Sequence, residues 1–143
     1  DAIQPFLDYE DHGVFVLCLT SNPSASEFQT LDTTDGQSVY LKVAQAANSW
    51  NRKGNVGLVV GATNGDALGE IRGAAGDMPL LVPGVGAQGG DLNMVMGHGL
   101  NSRREGVLVN SSRGVLYASS GLDFGDAARR AADSLREQIN RLR

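Results

Sequence analysis

The chain has 143 residues, enough for one ordinary domain with a core of its own, and its 41% hydrophobic, 6% aromatic content with 19 glycines matches an α/β protein built with many short strand-to-helix turns. A net charge of −4 and a pI near 5.0 exclude a general nucleic-acid binder, which needs a basic face. No stretch approaches the ~20 apolar residues of a membrane span, and no charged-then-apolar signal region opens the chain.

The chain begins with Asp1 rather than an initiator Met and passes directly into helical spacing, as a piece of a longer protein would. Asp1 is placed to cap a short helix carrying Ile3, Phe6 and Leu7, with Pro5 tolerated in the first turn and Gly13 as the stop. Val14 to Thr20 is a nearly continuous apolar run, the pattern of a parallel strand buried on both faces. It holds the single cysteine, Cys18, which has no internal disulfide partner and reads as a small buried hydrophobe, in keeping with a reducing cytoplasm. Ala25 to Gly36 is polar and predicts a loop with one short helical turn near Glu27.

Val39, Tyr40, Val43, Ala47 and Trp50 recur at helical spacing, with Trp50 as the expected anchor against a sheet. A second strand runs from Asn55 or Val56 to Ala62. Thr63 and Asp66 then resemble a capping box for a helix bearing Ala67, Leu68 and Ile71. Leu80 to Pro83 is the third strand, Asp91 caps a short helix with Leu92, Val95 and Met96, and Val107 to Asn110 is the fourth strand. Asp123 precedes the longest helix, with Phe124, Ala127, Ala128, Ala131, Leu135, Ile139 and Leu142 on one side. Arginines cluster along that helix and at Arg103 and Arg104, but acids interleave them, as on a solvated face. A helix followed by four strand–helix units implies a parallel sheet in a single partial domain over residues 1–143, closed as a barrel or open as a doubly wound layer.

In either closure ligands collect at the carboxyl ends of strands, so the informative segments are Ser21 to Ser24, Gly61 to Asn64, Pro83 to Gly90 and Ser111 to Gly114. The third, within LLVPGVGAQGGD, places Gly84, Gly86, Gly89 and Gly90 ahead of a helix start, where bare N–H groups can converge on an oxyanion. Gln88 adds a polar arm, and Arg113, after the next strand, adds a permanent cation with a fork suited to phosphate. If the two strands are neighbours, one dianion satisfies both loops. The same glycines, Gly84, Gly86 and Gly89, also fit G-x-G-x-x-G, which keeps an NADP-binding fragment open, although Pro83 stiffens the entry and the following helix is short. Ser21 and Asn22 either read a planar amide edge or cap the next turn. His12 and His98 show no metal-ligand spacing, and no Ser-His-Asp, Cys-His or paired-carboxylate arrangement stands at the strand ends.

Taken together, VFVLCLTSNPS, NVGLVVGAT, LVPGVGAQGGD and VLVNSSRGVLYAS, in order and in register over essentially the whole chain, resemble the orotidine 5'-phosphate decarboxylases, in the bacterial subgroup with the longer chain. That resemblance implies a TIM (β/α)8 barrel of which this chain holds the carboxyl-terminal half, the equivalents of strands 5 to 8. The family is dimeric and turns orotidine monophosphate into uridine monophosphate and carbon dioxide, with no metal or organic cofactor. By the same resemblance Ser21 would hydrogen-bond the pyrimidine, Pro83 and Val85 would line its pocket, Gln88 would bridge base and phosphate, and Arg113 with the backbone of Ser112 would grip the phosphate beside the amides of Gly86, Gly89 and Gly90.

The family's reactive D-x-K-x-x-D motif is absent, and the only lysines, Lys42 and Lys53, lie in and after a helix. The chain is therefore expected to carry no catalytic residue, to be inactive alone, and to associate with the missing amino-terminal half or with a second copy of itself. A noncatalytic nucleotide- or phosphate-binding module is the alternative.

Overall fold

The computed structural model describes residues 2–86 and 90–143. Asp1, and with it the expected cap, lies outside the described residues. The chain forms α1 (Gln4–Leu7), β1 (Val14–Leu19), a 3-10 turn (Pro23–Glu27), α2 (Val39–Trp50), β2 (Val56–Val60), α3 (Gly65–Ala75), β3 (Leu80–Pro83), α4 (Leu92–Gly99), β4 (Val107–Asn110), α5 (Ser112–Leu116) and α6 (Phe124–Leu142). The four strands make one sheet, all parallel, in the order β1-β2-β3-β4.

Strand alternation sorts the side chains into two faces. Val14, Val16, Val56, Leu58, Val60, Leu80, Val82, Val107 and Val109 lie against the core that α2, α3 and α4 cover, with Leu68, Ile71, Ala44, Ala47 and Val95 buried between. The residues that alternate with them, Phe15, Leu17, Gly57, Val59, Leu81, Pro83, Leu108 and Asn110, pair with one another on the other face. That second face is open: Phe15 is 41% exposed, Leu17 56% and Leu108 49%. The expectation that the first strand is buried on both faces is thus corrected. Its apolar run supplies two hydrophobic faces, but helices cover only one.

Three local expectations also shift. Asn64, not Thr63, caps α3, its side chain accepting the Ala67 N–H at 3.1 Å. The stripe of α2 buries Tyr40, Ala44 and Ala47, whereas Trp50, the last residue of the helix, is 45% exposed and lines surface hollows with Gln4 and Leu7. The first helix is a single turn that buries only Leu7, leaving Phe6 exposed. Asp91 caps α4 as expected, accepting the Asn93 N–H at 2.8 Å. In α6 only Ala127 is fully buried; the apolar side of that helix is half-covered, by α4 and α5.

Sheet order decides between the two closures. A doubly wound sheet reverses its strand order and places helices on both faces, and a dinucleotide sits at the reversal. Here the order follows the chain without reversal and the helices α2, α3 and α4 share one face. That is a singly wound arc, four strands of a barrel wall, with the open face as its interior.

Candidate functional site

β3 and β4 are neighbours, paired from Leu80↔Val107 to Pro83↔Asn110, so the two loops singled out in the sequence stand side by side. Between them lies a cavity of about 250 Å³ lined by Pro83, Gly84, Val85, Asn110, Ser111, Ser112 and Arg113. Val85 is buried, Pro83 is half-buried, and Ser112 and Arg113 are exposed at the rim. Among the described residues the Arg113 side chain makes no ion pair and no hydrogen bond, which leaves its five donors free. Other arginines are committed elsewhere, such as Arg103 to Asp77 at 2.9 Å and Arg130 to Asp123 at 3.3 Å.

The glycine loop is shaped by contacts within itself. Gly84 and Gly86 have φ of +91° and +77°, a region that side-chain-bearing residues rarely adopt. The Gly86 N–H donates to the Gly90 carbonyl at 2.9 Å, and the Gly90 N–H donates to the Gly84 carbonyl at 3.2 Å. These two amides were expected to point at an anion. They are spent instead on closing the loop, because a loop that leaves a strand and returns to a helix start must satisfy its own backbone. Gly90 is needed for a different reason: a Cβ there would stand 2.5 Å from the Ala62 Cβ and 2.8 Å from the Gly84 oxygen. The Ser111 hydroxyl donates to the Val85 carbonyl at 3.4 Å and links the second loop to the first. Gln88 and Gly89 lie outside the described residues.

Ser21 is not brought into this cavity. It is exposed just after β1, against Gly61 at the end of β2, with β2 and β3 between β1 and β4 on the same rim of the sheet. Asn22 donates through Nδ2 to the Ser24 hydroxyl at 2.5 Å and so belongs to the following turn. Lys42 pairs with Asp35 in the loop before α2, and Lys53 donates to the Asp8 carbonyl at 2.9 Å; neither lines the cavity. Among the described residues no group of His, Cys, Asp and Glu is arranged to hold a metal ion.

Sequence reasoning missed two residues. Asn110 lines the cavity, and only its position at the carboxyl end of an apolar strand marks it beforehand. Arg72 is 8% exposed and lies outside the cavity, but it holds the strands that form it. Its Nε donates to the Gly99 carbonyl at 2.7 Å, Nη1 to those of Gly76 and Met78 at 2.8 and 2.7 Å, and Nη2 to that of Gly106 at 2.9 Å. A helical arginine in the spacing of α3 gives no sign of this, since its partners are backbone groups of distant loops. Burial pulls the Arg72 pKa down, against the pull of the Asp77 carboxylate, and the guanidinium remains a cation.

A family model described as Orotidine 5'-phosphate decarboxylase / HUMPS family matches residues 1–129. Curated relatives named orotidine 5'-phosphate decarboxylase include those of Bordetella avium and Ralstonia pickettii, each 51% identical over the whole chain and each covered to 53% of its own length. Among solved structures, the chain superposes on Leishmania donovani OMP decarboxylase with a TM-score of 0.83 at 40% identity, covering 99% of this chain and 52% of that one. Against Leishmania donovani UMP synthase the TM-score is 0.85 at 43% identity, over 99% of this chain and 30% of the other. The chain spans about half the length of the curated relatives it matches. A four-stranded arc of TIM-barrel wall, a cavity at the ends of its last two strands and a family match over residues 1–129 agree: this chain belongs to the orotidine 5'-phosphate decarboxylase / HUMPS family.

Proposed function

We propose that this chain is the phosphate- and pyrimidine-binding half of an orotidine 5'-phosphate decarboxylase, a carboxy-lyase of de novo pyrimidine synthesis that converts orotidine monophosphate to uridine monophosphate and carbon dioxide. The observation that carries the reading is the Arg113 guanidinium beside the cavity between β3 and β4, which has no partner among the described residues. Arg113 takes the phosphate as a forked cation, with the first-turn N–H of Ser112 beside it, since such groups have no partner inside their own helix. Pro83 and Val85 form the apolar wall for the ring, Ser21 reaches the pyrimidine edge from the far side of the rim, and Gln88 and Gly89 complete the loop. With the amides of Gly86 and Gly90 closing that loop, the charge of Arg113 carries most of the grip.

The decarboxylation itself needs a cation to protonate the carbon that loses carboxylate, and carboxylates to orient that cation. Neither lysine of this chain lines the cavity, so residues 1–143, one partial domain, bind without turning over. Phosphate contacts remote from the reacting carbon lower the barrier only when the rest of the site is present. The open apolar face of the sheet is where an amino-terminal half, or a second copy, completes the barrel. Calorimetric titration with uridine monophosphate should show binding that is lost in Arg113→Ala, and the chain alone should leave orotidine monophosphate unchanged. Turnover by the chain alone overturns the division of labour, and absence of nucleotide binding overturns the site. Restoration of activity on mixing with an amino-terminal half separates the enzyme reading from that of a noncatalytic nucleotide module.

A further inference from the structure

Of the strand positions on the open face of the sheet, Asn110 alone carries a hydrogen-bonding side chain; the others are apolar or glycine. It is the last residue of β4, opposite Pro83, the last residue of β3, and both line the cavity. These two form its floor, while Ser112 and Arg113 lie beyond the strand ends and form its rim. The amide has no structural task between strands. Its one bond among the described residues is local, the Ser112 hydroxyl donating to Oδ1 at 3.0 Å. In that arrangement Oδ1 is engaged by a donor, and Nδ2 with its two protons meets no acceptor among the described residues.

We propose that Asn110 is a specificity-determining residue of this site, with Nδ2 donating a hydrogen bond to an acceptor on the heterocycle of the bound nucleotide while Arg113 holds the phosphate. The inference rests on the nucleotide reading given above. The lining divides the labour: Pro83 and Val85 make part of it apolar, suited to the face of a flat ring, and the cation stands at the rim. A donor set into a partly apolar lining discriminates strongly, because a ligand that lacks the matching acceptor leaves the amide unpaired.

The test compares uridine monophosphate with ribose 5-phosphate, which has the phosphate and sugar but no ring, by calorimetry on the 143-residue chain. Asn110 is exposed, so Asn110→Leu and Asn110→Asp are compatible with the fold. Asn110→Asp keeps an acceptor for the Ser112 hydroxyl and removes the donor, and its added charge acts on both ligands alike. The affinity ratio of uridine monophosphate to ribose 5-phosphate should fall about tenfold in both variants. An unchanged ratio in Asn110→Leu overturns the assignment, as does recovery of the ratio in Asn110→Asp, which would make the residue a holder of Ser112. Equal affinity of the unmodified chain for the two ligands refutes ring recognition and leaves the phosphate site standing. Failure to bind either ligand refutes the nucleotide reading and this inference with it.

Discussion

Replacing Arg72 with methionine tests whether the cavity is held from below by one side chain. The guanidinium ties the end of α4 at Gly99, the α3–β3 connection at Gly76 and Met78, and the α4–β4 connection at Gly106. The Gly106 carbonyl keeps a second partner, the Leu80 N–H at 2.8 Å, so of the four carbonyls that lose their Arg72 donor three are left without one among the described residues. At about 1 kcal/mol net for each bond, and more where a buried group is left unpaired, the loss is roughly 3 to 5 kcal/mol. Methionine keeps the apolar stem in place and relieves the cost of burying a charge, so the lower end, about 3 kcal/mol, is expected. For a chain of this length that corresponds to a fall of about 10 °C in thermal midpoint. Circular dichroism melts and urea titrations of the Arg72→Met and Arg72→Lys variants measure it, and lysine, with one nitrogen in place of three, should recover at most part of the loss. A midpoint for Arg72→Met within about 2 °C of the parent would show that the four bonds contribute nothing net.

Arg113→Ala should weaken uridine monophosphate binding by about tenfold or more, and Arg113→Lys should recover only part of it, because a point charge replaces a fork; calorimetry at two salt concentrations reads both. Gly90→Ala should cost about 1 to 3 kcal/mol in urea denaturation through its overlap with Ala62 and Gly84, and equal stability would refute the close approach. Burial pushes the Cys18 thiol up to about 12, and burial with the Glu70 hydrogen bond pushes the Tyr40 phenol to about 12. Both groups hold their protons more tightly folded than unfolded, so stability is unaffected below pH 9 and declines between pH 9 and 12 as the unfolded chain ionises first. Urea midpoints at pH 8, 9.5 and 10.5 check the sign, and a rise across that range contradicts it. Leu17→Glu, on the open face, should shift the chain towards monomer in sedimentation, and an unchanged distribution would mean that this face takes no part in association.

What could be read beforehand followed from local rules. The strands at Leu80–Pro83 and Val107–Asn110 and the helix at Val39–Trp50 stand where their apolar patterns put them, and Asp91 caps α4 as its position suggests. Burial was less legible, because pattern records what a face is suited to and not what covers it. Phe15 and Leu17 carry the signature of a two-sided core and lie open, and Trp50 has the spacing of an anchor but is half-open as the last residue of α2. Backbone geometry was legible only in outline: the glycines announced a close approach, which Gly90 makes, while the use of the Gly86 and Gly90 amides depends on which carbonyls the loop folds back upon. Arg72 was invisible, since its partners carry no side-chain signal, and Asn110 was passed over because its strand reads as apolar.

The cavity is bounded by residues that run from Pro83 to Arg113, a single strand–helix–strand turn of the barrel. Its walls therefore come together by a local crossover and do not wait for distant parts of the chain to meet. A cavity assembled in that way is portable: it can be inherited, transplanted or duplicated as one short cassette while the rest of a barrel changes.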